Sequence, residues 1–117
     1  MINKNILVAI DNGIVGLDIQ KQLNGYGYNV EMIHFLNREK IKSTLKRHFQ
    51  LVILERCLND EGTEYAVKLA RENNLPVICI STDNEIKKIE GKDLRFLMMP
   101  FSSDDLRKTV RISLGEN

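Results

Sequence analysis

The sequence predicts an α/β fold, a doubly wound five-stranded parallel sheet with helices on both faces. Three observations lead there. Strand-like runs alternate strictly with helical patterns along the whole chain. The strand runs are continuous apolar stretches, as required of strands buried on both faces. Several of them end on a polar or charged residue, where the strand ends of an open parallel sheet carry a site. Right-handed crossovers between successive strands then cover both faces of the sheet.

The elements follow in order. Residues Ile6 to Ile10 form the first strand, ended by Asp11, Asn12 and Gly13, with Asn12 placed to cap the next helix. That helix carries Val15, Ile19 and Leu23 on one stripe, flanked by Ile14 and Leu17, and stops at Gly25. Residues Asn29 to Ile33 form a weaker second strand. Asn37 caps a basic helix whose inward stripe is Ile41, Leu45 and Phe49. The run Leu51 to Leu54 is the third strand, ending in Glu55. After a loop through Gly62, a helix buries Ala66, Leu69 and Ala70. Pro76 opens the fourth strand, Val77 to Ile80, which ends in Ser81 and Thr82. The fifth strand runs from Phe96 to Met99 and stops at Pro100 and Phe101. Residues Ser102 to Asp105 supply a cap and negative charge to a last helix with Leu106, Val110 and Leu114 inward. This makes five strands and four or five helices in one domain, residues 1–117.

Composition excludes several classes of function. Lys and Arg number 17 against 16 Asp and Glu, so net charge points to neither nucleic acid nor acidic membranes. The basic cluster Lys40, Lys42, Lys46, Arg47 and His48 lacks interleaved aromatics for stacking bases and reads as a solvated helix face. No apolar run approaches the roughly 18 residues of a membrane span. Cys57 and Cys79 lie 22 apart, with no metal-ligand spacing. The chain therefore reads as cytoplasmic, with reduced thiols. Cys79 reads as a small core residue, and Cys57, in a loop beside Glu55, as a candidate reactive thiol. His34 and His48 have no spaced partners for a metal. Gly13 and Gly16 resemble a fragment of a phosphate loop without its third glycine.

With strand order 2-1-3-4-5, the switch point lies between strands one and three, so Asp11 and Glu55 fall at one edge with Ser81 next in line. From Asn5 to Leu114 the chain resembles the receiver domain of bacterial and archaeal response regulators, a CheY-like, flavodoxin-like fold. The resemblance rests on Ile6 to Val30, Pro76 to Ser81, and Met99 to Ser102 followed by a helix. The first helix and the turn Gly25 to Tyr28 look most like receivers of hybrid signalling proteins.

The resemblance implies an acceptor aspartate that takes phosphate from a phosphohistidine. Paired acids hold Mg²⁺, and a hydroxyl, a lysine and a switch aromatic complete the machinery. Asp11 matches the second acid, but Ile10 replaces the first. Glu55 stands at the acceptor position, and Cys57 at the residue whose backbone carbonyl would ligate the metal. Ser81 matches the hydroxyl and Phe96 the switch aromatic, while Met99 replaces the lysine before Pro100, a proline whose preceding bond is cis in the family. Each change works against phosphorylation. Asp11 and Glu55 alone would bind Mg²⁺ weakly or not at all. A nucleophile misplaced by about 1 Å loses on the order of 100-fold in rate. Removing one electrostatic contact to the phosphoryl group costs roughly 3–4 kcal/mol.

Three readings of Glu55 follow: an acid in a relic pocket, a standing mimic of phosphoaspartate, or a residual acceptor. Asp60 reads as a helix cap or a substitute acceptor. The segment from Thr82 to Gly91 leaves room for only a shortened fourth helix, with Ile86 and Ile89 inward. Lys87, Lys88, Asp104, Asp105, Arg107 and Arg111 would rim a homodimer through the fourth helix, fifth strand and last helix, or form a solvated surface. The preferred reading is a degenerate receiver of a two-component system. It is a signalling module rather than an enzyme, with a sensor kinase or another signalling protein as partner. The alternatives are a working Mg²⁺-dependent phosphoacceptor and a flavodoxin-like small-ligand binder lined by Ile10 and Met99.

Overall fold

A computed structural model describes residues 4–10, 13–33, 38–45, 48–55, 61–81 and 94–116, without the side chains of 38, 40, 41 and 61–63. Strands β1 (Asn5–Ala9), β2 (Asn29–Ile33), β3 (Leu51–Glu55), β4 (Val77–Ser81) and β5 (Leu94–Met98) form one parallel sheet in the order β2-β1-β3-β4-β5. Helices α1 (Gly13–Gly25), α2 (Arg38–Leu45), α3 (Glu61–Glu72) and α4 (Ser103–Ser113) are the helices among the described residues. The segment expected to hold a short fourth helix, 82–91, lies outside them, as do Asp11, Cys57, Asp60 and His34.

Alternation along the strands splits the core in two. Ala9, Leu54, Cys79 and Phe96 face one side, against Leu45 of α2 and Ala66, Val67 and Ala70 of α3. Ile10, Ile53, Ile80 and Leu97 face the other, against Ile19 and Leu23 of α1 and Leu106 and Val110 of α4. All of these are buried, and each large side chain so enclosed contributes about 2 kcal/mol to the driving force for folding. Burial on both faces explains why β1, β3 and β4 read as unbroken apolar runs.

Three expectations shift. β5 starts at Leu94, two residues before the apolar run, because the half-buried Arg95 interrupts the pattern. Phe49 is not on a helix: it lies in the non-helical stretch before β3 and packs half-buried against the α2–α3 cluster. Gly16 belongs to helix–sheet packing rather than to a phosphate cradle. A Cβ there would stand 2.8 Å from Met32 Cε and 3.7 Å from Ile10 Cβ, so the glycine lets α1 lie close to the sheet.

The helix ends follow local chemistry. Ser102 caps α4 by accepting from Asp105 N–H at 3.0 Å, and the Asp105 carboxylate accepts from Ser102 N–H in return. The turn after α1 uses Gly27 at φ +95, which a side chain would disfavour, and Tyr28 N–H then donates to Leu23 C=O. Tyr28 Oη donates to Glu116 Oε1 at 2.7 Å, joining this turn to the stretch that follows α4. Beside it, the Arg107 guanidinium lies 4.7 Å from the centre of the Tyr26 ring.

Burial first, and then the bond to Glu116, push the Tyr28 phenol from 10.0 up to about 12. A raised phenol contributes stability that is whole below pH 10 and is lost as pH rises through 12. Because Tyr28 is partly exposed, about 1 kcal/mol is the expected size. Tyr28→Phe should lower stability at pH 8 by about that much and flatten the alkaline decline. Urea unfolding at pH 8 and pH 11 would check this, and an unchanged pH 8 midpoint would contradict it.

Candidate functional site

The carboxyl ends of the strands bring most of the matched positions together. Ala9 pairs with Leu54, Glu55 with Ile80, and Ile80 with Leu97, so Glu55 stands in one row with two buried aliphatics. Ile10 follows β1 at the same edge and is 0% exposed, packed into the α1–α4 cluster. Ser81 lies one residue beyond Ile80 and pairs with Met98. Its carbonyl accepts from Met99 N–H at 2.9 Å, which fixes the backbone of the fifth-strand exit against β4. The Met99–Pro100 bond is cis.

These positions differ sharply in environment. Glu55 and Ser81 are half-buried at the ends of β3 and β4. Met99 is half-buried and packs with Phe101 and Leu114 against the α1–α4 cluster. Phe96 is buried on the opposite face, with Leu94 and Cys79. Asp11 and Cys57 lie outside the described residues.

Chemically, the described part of this edge offers one carboxylate and one hydroxyl, with Met99 half-buried and Ile10 wholly inside the core. Among the described residues there is no group of three or more metal-ligating side chains. Mg²⁺ demands close to six oxygen ligands, and Ile10 and Met99 supply neither an oxygen nor a cation to this edge. Position 10 in particular is committed to the core.

Two features were not read from the sequence. Ile14 and Leu17, at the start of α1 beside this edge, are 84% and 49% exposed, so they form an apolar rim rather than part of a packed stripe. A helical wheel anchored on Ile19 and Leu23 would have turned them outward. Cys79 is disulfide-bonded, against the expectation of reduced thiols. Cys79 pairs in register with Leu54 of β3.

An acid at position 10 would enter a fully apolar enclosure. Ile10→Asp should cost at least about 2 kcal/mol at pH 7 without added Mg²⁺. Such a carboxyl has a raised pKa, so its neutral form is tolerated at low pH and the cost grows as pH rises through the folded-state value. Denaturant midpoints at pH 4 and pH 7 would show the variant nearer to wild type at pH 4. Equal loss at both would contradict the account of position 10.

No family model and no curated protein matches the chain. Solved structures do. A response regulator receiver protein from Sinorhizobium medicae is 26% identical, with a TM-score of 0.80 over 97% of this chain and 95% of the other. A response regulator receiver protein from Burkholderia phymatum is 19% identical, at 0.79, covering 98% of each. The Vibrio cholerae chemotaxis protein CheY4 is 24% identical, at 0.76, over 94% of this chain and 98% of that one. The sheet order, the two-layer helix cover and these likenesses agree: the chain has the CheY-like, flavodoxin-like fold of response regulator receiver domains.

Proposed function

We propose that this chain, as one domain over residues 1–117, is an atypical receiver of a two-component system that acts through protein–protein contact and is not efficiently phosphorylated. The observation that carries the reading is the apolar character of the edge around Glu55. Ile10 is sealed in the core and Met99 packs on the same cluster, so the acceptor-equivalent carboxylate lacks one metal-holding acid and the phosphoryl-holding cation. Mg²⁺ binding at Asp11, Glu55 and the Cys57 carbonyl is then weak or absent.

The partner in this reading is a sensor kinase or another signalling protein in the cytoplasm. Ile14 and Leu17 provide an exposed apolar rim on which a partner helix could bury surface. A homodimer through the segment 82–91, β5 and α4 is the further assembly. In support, the outer face of α4 exposes Ile112 among Asp104, Lys108 and Arg111, though Arg107 is engaged with Tyr26. The second reading, a phosphoacceptor using Glu55, draws support from Ser81, which keeps its place at the end of β4 beside the Glu55 row.

Titration with Mg²⁺ and beryllofluoride, followed through amide shifts at Glu55, Ser81 and Phe96, separates the two. The interaction-module reading predicts no saturable response from the wild type. It also predicts a response from the double variant Glu55→Asp, Met99→Lys, which restores the acceptor geometry and the cation. Saturable wild-type shifts that spread from Glu55 to Phe96 would overturn it in favour of the phosphoacceptor.

A further inference from the structure

Among the described residues, the large apolar side chains that stay exposed are Ile14, Leu17, Tyr26 and Ile112. All of them lie on α1, on the turn after it, or on α4. These two helices cover the same face of the sheet, where Ile19, Leu23, Leu106 and Val110 join one cluster. Apolar surface gathered on one layer marks a place where another molecule binds.

The pattern along the two helices identifies that molecule. α1 follows β1 and α4 follows β5 in an all-parallel sheet, so both helices run from the site edge towards the opposite edge. α1 carries Ile14, Leu17 and Asp18 at i, i+3 and i+4, with Lys21 three residues further on. α4 carries Asp104, Lys108 and Ile112 at steps of four. Each of these side chains is exposed. Four residues, about 6 Å of helix, separate Ile14 from Asp18 and likewise Lys108 from Ile112. Laid antiparallel, the two patterns match: Ile14 meets Ile112, Asp18 meets Lys108, and Lys21 falls opposite Asp104. Laid parallel they clash, since Ile14 would meet Lys108 and Asp18 would meet Ile112. Within one chain α1 and α4 run in the same direction, so the matching arrangement needs a second chain. A copy related by a two-fold axis perpendicular to the helices makes it twice over.

We propose that this face binds a second copy of the chain, in a two-fold dimer that lays α1 of each protomer antiparallel to α4 of the other. This deepens the interaction-module reading, on which it rests, by naming the partner that covers Ile14 and Leu17. A homodimer through the segment 82–91, β5 and α4 would leave both of those side chains in water. In the α1–α4 dimer they bury against Ile112 of the second copy, and the charges beside them form the rim. Rim charges of this kind set orientation and register more than affinity, which comes from the apolar contacts. Arg107 stays out of the contact, because its guanidinium lies over Tyr26 of its own chain.

Sedimentation equilibrium of the full chain over a range of concentrations tests this. The wild type should approach the mass of a dimer and go no further, since a two-fold contact closes on itself. Leu17→Glu and Ile112→Glu change exposed positions, so both should keep the wild-type circular dichroism. Each should weaken dimerisation on the order of 30-fold or more, because each change enters the interface twice. Asp18→Lys and Lys108→Asp should each dimerise more weakly than the wild type, since each sets like charges opposite one another at both contacts. Mixed together, these two variants should form a heterodimer tighter than either makes alone, because both contacts are again of opposite sign. A monomeric wild type, a dimer that Ile112→Glu dissociates and Leu17→Glu does not, or a mixture no tighter than its components would each overturn the α1–α4 dimer. No Mg²⁺ or phosphoryl analogue enters these measurements, so a failure here is separable from a failure of the receiver reading, which the beryllofluoride titration decides.

Discussion

The structure depends on a sheet that is covered on both faces. Because each strand alternates between two apolar clusters, parity decides which cluster a residue near a strand end serves. Ile10 shows the consequence. It follows β1 at the site edge, yet it serves the α1–α4 cluster completely. In the proposed reading, the apolar residue standing where receivers carry a metal-holding acid contributes to folding what it removes from chemistry. Met99 does the same from the other end of the sheet, half-buried against that cluster.

This sharing of residues explains why the scaffold can survive while the crevice changes. The Ser81–Met99 backbone bond and the paired rows of β3, β4 and β5 need no particular side chain at positions 10 or 99 beyond one that packs. Burying a charge at those positions would cost more than burying the apolar side chains that stand there. Phe96 lies on the far face with Cys79 and Leu94, in the apolar cluster that packs against α2 and α3.

Much of this was legible in the sequence, and the limits are physical. The apolar runs of β1, β3 and β4 were plain because both faces of a parallel strand are buried. The Ser102–Asp105 cap was plain because its chemistry is local. β5 begins two residues before its apolar run because the half-buried Arg95 interrupts the pattern. Phe49 was assigned to a helix because periodicity records that a residue packs inward, not whether the backbone carrying it is helical. The alignment of Glu55 and Ser81 at one edge followed from strand order and held in the register. The disulfide at Cys79 was invisible to patterning, since a buried cysteine and a buried bridge have the same hydropathy.

The central claim is that this edge has lost the charges that accept and hold a phosphoryl group while the fold around it persists. The most direct measurement is intact mass and peptide mapping after incubation with an autophosphorylated histidine kinase. Wild-type protein should stay unmodified over a period in which the Glu55→Asp, Met99→Lys variant gains a phosphoryl group. Rapid labelling of the wild type that maps to Glu55 would contradict the account.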